Sequence, residues 1–325
     1  MKERTRPSAA LPTPTKANTN AQPRQVEHAG LVWLDIIGPT AAHITQLRER
    51  YNFDALALED VLSQTQRPKL NTFVQDGYLF AIFQFPALDR DEHIAGPSEV
   101  KCFVGRDYIV TLHDGTSRAL RRMFTAAASD EHARAQLLGR GSGYLFYRLI
   151  DSMVKHSFPL IDTLDNELAR TEELMFGPNQ RQAVRALTDV RRDVVSFRHM
   201  ITPNLAVVRA LEASNVPFLR LPSGYFGDLA DGFETLIDIV NEQYETVNGL
   251  QNASQTLAIQ QLQENLRLLL IVLLVTLPLL VIAAIFGMNA ALPLLAHRLA
   301  FPIIVVVMLL ITGAVVGFAR YRRLI

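Results

Sequence analysis

LRLLLIVLLVTLPLLVIAAIF, residues 266–286, decides the architecture of this chain. Apart from Arg267 near its start the segment is uncharged. Some 20 apolar residues at 1.5 Å each span the roughly 30 Å of a bilayer's hydrocarbon core. A second run, FPIIVVVMLLITGAVVGFA over 301–319, is nearly as long. The loop between them covers 287–300, and from Leu268 to Phe318 the only charged residue is Arg298. Two such runs read as a pair of transmembrane helices rather than as a buried hairpin in a soluble core.

Their orientation follows from flanking charge. Arg320, Arg322 and Arg323 crowd the end of the second run, and Arg267 marks the start of the first. Basic flanks stay on the cytoplasmic side, so both termini are expected there, with the short loop outside. Pro278 removes one backbone hydrogen bond inside the first span, which neighbouring membrane helices can compensate. Pro302 falls in the first turn of the second, where proline is tolerated.

Composition excludes several classes. The 32 Lys+Arg balance the 32 Asp+Glu, so net charge points to no nucleic-acid partner. One cysteine, Cys102, rules out an intramolecular disulfide framework and a Cys-rich zinc site. The Pro-, Thr- and Asn-rich start, with no apolar segment, reads as a disordered cytosolic tail over 1–27 and not as a secretory signal.

Between tail and membrane the pattern changes once. Leu31–Ile36, Tyr78–Phe85, Val100–Val104 and Tyr108–Leu112 are rich in branched and aromatic residues, as strands are. Thr40–Tyr51 and Leu56–Leu62 read as helices. Together they suggest an α/β/α layered domain over 28–142. A helical region over 143–224 follows, with long helices at 143–175 and 178–212 and a third at 225–286. In that third helix a stalk, 225–265, runs straight into the first span. Leu236, Val240, Val247, Leu250, Ser254 and Leu257 form a seam of coiled-coil type along it. A rod roughly 90 Å long is more than one small domain can bury, so the seam implies a homo-oligomer.

At the outer end of the first span stands Phe286-Gly287-Met288-Asn289. In this position the sequence resembles the CorA family of magnesium and cobalt transporters, whose signature is Tyr/Phe-Gly-Met-Asn. Leu277-Pro278-Leu279 and Ala283-Ala284-Ile285 resemble that family's approach to the motif. Leu58-Glu59-Asp60-Val61-Leu62 with Gln66-Arg67-Pro68-Lys69 resembles a second, distant segment of it. The resemblance implies a funnel-shaped homopentamer of an α/β cytosolic domain, a stalk helix and two C-terminal transmembrane helices, 266–286 and 301–319, with a basic cytosolic tail, 320–325. It implies passive transport of Mg²⁺, and of Co²⁺ or Ni²⁺, across a bacterial inner membrane. Gly287, Met288 and Asn289 would select the ion, Leu266 and Leu269 would gate the pore, and Asp89, Asp228 and Asp231 would hold a regulatory Mg²⁺. The chemistry fits: Mg²⁺ sheds water reluctantly, and the Asn289 carbonyl can bind it through its hydration shell.

The outer loop departs from the family. Where a glutamate is common stands Leu294, no acid occurs in 287–300, and His297 with Arg298 would place positive charge at the mouth. Leu280 occupies a pore position that is often threonine. These departures leave metal choice open, with a ZntB-like zinc transporter or a poorly conducting homologue as alternatives. Against zinc, the eight histidines show no metal-ligand spacing. No nucleophile motif and no glycine-rich phosphate loop is present, so neither an enzyme, nor a nucleotide-driven pump, nor an organic cofactor is indicated.

Overall fold

The structure, a computed structural model, describes residues 22–63, 66–88, 94–175, 177, 180–219, 221, 224–287 and 300–321. Asp89, Met288, Asn289, His297 and Arg298 lie outside them, as does most of the expected tail.

Apolar residues on both faces of the strands dictate a sheet covered on two sides. In chain order the elements are β1 (Arg24–His28), β2 (Leu31–Ile37), α1 (Ala41–Tyr51), α2 (Ala55–Leu62), β3 (Lys69–Phe73), β4 (Tyr78–Leu88), β5 (Ile94–Gly105) and β6 (Tyr108–His113). Helices α3 (Arg118–Ser129), α4 (Glu131–Leu138), α5 (Ser142–Met175), α6 (Gln180–Glu212), α7 (Tyr225–Gly287) and α8 (Ala300–Tyr321) follow, with a short 3₁₀ turn at Pro217–Leu219. The six strands order as β1-β2-β6-β5-β4-β3, antiparallel except for β2 against β6. Strand β1 occupies part of the expected tail: Val26 packs inward, Arg24 pairs with Asp35 of β2, and the hairpin turns through Ala29 and Gly30, both at positive φ.

Alternation assigns the two faces. Leu34, Ile36, Phe80, Ile82, Phe103 and Val110 meet Leu47, Phe53, Leu58 and Val61 from α1, α2 and the link between them. Phe53 stacks on Phe103 with ring centroids 4.0 Å apart. On the other face Trp33 meets Phe124 of α3 edge-on at 5.0 Å, Phe83 meets Phe146 of α5, and Phe85 meets Phe233 of α7. Asn204 of α6 clips that face by bonding both the N–H (3.1 Å) and the C=O (2.7 Å) of Gln84.

The chain forms two compact units, one up to Leu250 and one from Gln251. In the first, the early part of α7 lies on α5 and α6. Gln243 donates to the Ile161 carbonyl (3.2 Å) and to Asp165 (2.8 Å), and Arg198 stacks over Tyr244 at 4.7 Å. This corrects the seam. Leu236, Val240 and Val247 are fully buried and Leu250 nearly so by their own chain. The stretch therefore needs no second copy to cover it, because α5 and α6 already supply the apolar partner. Ser254 and Leu257 are half-exposed.

Candidate functional site

In the second unit α7 runs on to Gly287, its last helical residue, so the helix ends within the Phe286-Gly287-Met288-Asn289 motif. Among the described residues α7 is the one helix long and apolar enough to cross a membrane, and α8 carries a shorter apolar stretch, Val305–Phe318. On α7, half-covered positions recur at 271, 274, 275, 278, 279 and 282, which is one helical stripe. On α8 they recur at 308, 312, 315 and 316. Two helices packed side by side produce such a pair of stripes.

The opposite face of α7 is open. Leu266, Leu269, Leu273, Leu277 and Leu280 follow one another at steps of three or four, and all are exposed. The two gate candidates stand on this face, and so does Leu280. Polar groups are scarce along it. The Thr276 hydroxyl bonds back to its own helix at Val272 O, 2.9 Å. Pro278 cannot supply the amide that would bond the Leu274 carbonyl.

Of the regulatory candidates, Asp228 and Asp231 are described, and both fall in the other unit. Asp228 sits in the first turn of α7, a favourable place for a carboxylate beside the helix's unbonded amides. Its Oδ2 accepts from the Tyr147 hydroxyl at 3.2 Å. Burial, then the nearby charges of Asp151 and Asp228, push Tyr147 up to about 12, so it remains a donor. Asp231 is exposed one turn on. Among the described residues no group of three or more His, Cys, Asp or Glu side chains is placed to hold a metal.

The distant segment that resembled the family is a structural clasp. Asp60 of α2 pairs with Lys69 of β3 at 2.5 Å, and the Gln66 amide donates to Glu99 at 2.6 Å. Lys101, buried, caps the end of α2 through Val61 O (3.1 Å) and Ser63 O (3.0 Å) and pairs with Glu99 at 3.2 Å. His43 and Asp54 cap α1 and α2.

A second polar centre carries no sequence signal. Asp35, wholly buried, accepts from Thr111 Oγ1 (2.6 Å), His113 Nε2 (3.1 Å) and the Arg24 guanidinium. His113 Nδ1 accepts from the Gly115 amide at 3.0 Å, which leaves Nε2 to donate to Asp35. Burial alone would raise the Asp35 carboxyl. Hydrogen bonds and charge from His113, with bonds from Thr111 and Arg24, outweigh it and hold the group below its usual range. Sheet residues that alternate in and out predict an apolar residue at 35, and only the pairing of β2 with β6 reveals its partners.

The chain thus holds a six-stranded α/β unit and a helix long and apolar enough to cross a membrane. The description "CorA-like Mg²⁺ transporter protein" matches residues 28–319, and the chain belongs to that family. It is 28% identical over 262 residues to the "Putative metal ion transporter YfjQ" of Bacillus subtilis, covering 79% of this chain and 78% of that one. It is 24% identical over 294 residues to the "Cobalt/magnesium transport protein CorA" of Thermotoga maritima, covering 90% and 82%. The complete structure of the CorA magnesium transporter from Methanocaldococcus jannaschii superposes with a TM-score of 0.75 at 19% identity, covering 91% and 92%. That likeness is one of fold.

Proposed function

We propose that this chain assembles, as five copies, into a pore that conducts divalent cations, Mg²⁺ foremost, passively across a bacterial inner membrane. Both termini would lie in the cytoplasm, with 266–286 and 301–319 crossing the bilayer. The observation that carries the reading is the open leucine face of α7, which leads to Gly287 in a chain of this family. Each copy turns that face to a common axis. Asn289, with Gly287 and Met288, holds hydrated Mg²⁺ at the outer end, and rings of Leu266 and Leu269 close the passage by dewetting. Asp89, Asp228 and Asp231 bind Mg²⁺ on the cytosolic side and report its concentration. The driving force is the membrane potential, about 2.3 kcal/mol per charge per 100 mV, and a divalent ion gains twice that.

The acid-free outer loop favours a second reading on ion choice, a zinc-transporting or poorly conducting homologue. Influx of Mg²⁺ and of Zn²⁺ into liposomes containing the full chain separates them. Mg²⁺ entry supports the proposal. Zn²⁺ entry without Mg²⁺ entry replaces it with the zinc reading, and entry of neither, with insertion verified, favours the non-conducting one.

A further inference from the structure

Two apolar side chains stand where neither the protein nor a bilayer covers them. Ile259 is 55% and Leu262 58% exposed, and both precede Leu266, where the membrane-length apolar run begins. At 1.5 Å per residue they lie about 10 Å and 6 Å short of it, on the water side. Their neighbours fit water: Gln260, Gln261, Gln263, Glu264 and Arg267 surround them in the sequence. Steps of three, four and three lead from Ile259 through Leu262 and Leu266 to Leu269, so the spacing puts the pair on the line of exposed leucines of α7.

We infer that Ile259 and Leu262 meet the same residues of neighbouring copies and form two further apolar rings, extending the gate into the cytosol. The inference rests on the oligomeric pore proposed above. The occupant is a second copy of this chain, since the Gln-rich flanks rule out a lipid surface at this level. A closed arrangement brings like faces together around an axis, so one stripe on one helix is enough. The dewetted length grows from the two rings at Leu266 and Leu269 to four rings over about 15 Å. Closure then does not depend on the membrane-embedded leucines alone.

The test uses the full chain in liposomes, with Mg²⁺ as the probe. Ile259→Ser and Leu262→Ser put hydroxyls in the rings and are expected to raise Mg²⁺ influx about tenfold, the factor given by 1.36 kcal/mol off a barrier. Gln260→Ala, turned away from this stripe by the helical period, should leave influx unchanged. Independently, Leu262→Cys should be joined between copies by a short bismaleimide, because native Cys102 is fully buried. Wild-type influx in serine variants that still assemble would overturn the gate, and absence of the crosslink would overturn the facing of the copies. If wild type and Leu266→Ser both conduct nothing, the pore reading itself falls and this inference falls with it. Conduction by wild type with unresponsive serine variants removes the inference alone.

Discussion

Replacing Asp35 by alanine removes the acceptor at the centre of the β1–β2–β6 cluster. Thr111 and His113 are buried donors, at 2.6 Å and 3.1 Å; His113 Nε2 loses its partner and Thr111 keeps only the Leu34 carbonyl at 3.5 Å. A buried donor left unmatched costs about 1–3 kcal/mol. The Arg24 side chain is 38% exposed, so water replaces much of its pairing and little is added. The sum is about 3 kcal/mol, near the low end of what breaking a buried pair costs. For a unit of this size about 1 kcal/mol moves Tm by 2–4 °C, so a fall of about 6–12 °C is expected. The assay is built in: Trp33 is the one tryptophan, fully buried, and its Nε1 donates to Thr111 Oγ1 at 3.1 Å. Its fluorescence in detergent-solubilised full chain follows the unfolding of this unit. Asp35→Asn supplies the pH arm. The folded carboxyl lies below its unfolded value of about 3.9, so its stabilisation is complete above that pH and is lost as pH falls through the folded value. The gap between wild type and Asp35→Asn should therefore shrink as pH falls below about 4. A loss under about 2 °C for Asp35→Ala, or a gap that widens in acid, would refute the reasoning.

Lys101→Met strips the cap from α2 and takes the cation from the half-buried Glu99, which keeps its bonds from Gln66 and Gln84; a loss of about 1–3 kcal/mol is expected in the same unfolding assay. Gly143→Ala places a Cβ 2.4 Å from the Phe218 carbonyl oxygen, a backbone atom that cannot swing away, and should cost about 1–3 kcal/mol, read as lower Tm. Burial, with the nearby Asp35 charge, drives the Cys102 thiol far above its ordinary value, so maleimide should label it only after unfolding.

What was legible in the sequence divides along physical lines. The four interior strands announced themselves by branched and aromatic runs, because both faces of a central strand are buried. The two missed strands, RQVEH and KLNTF, are the two edges of the sheet, half-exposed and polar, and the first was absorbed into the expected tail. The long helices stood out by length and apolar periodicity. The seam over 236–250 was read correctly as apolar and assigned to the wrong partner, since periodicity marks a buried stripe without saying which helix buries it. The leucine candidates at 266 and 269 do fall on the open face of α7. Asp35 and Lys101 were invisible because a buried charge is defined by partners 76 or 40 residues away, which no local pattern encodes.

The central claim is that the open face of α7, followed in the sequence by Asn289, conducts divalent cations down the membrane potential. The most direct measurement is Mg²⁺ influx into nucleotide-free proteoliposomes as a K⁺ diffusion potential is stepped, with wild type beside Asn289→Ala. The account expects influx in wild type that rises with inside-negative potential and is abolished by the substitution. Influx that ignores the potential, requires a nucleotide, or survives Asn289→Ala unchanged would contradict it.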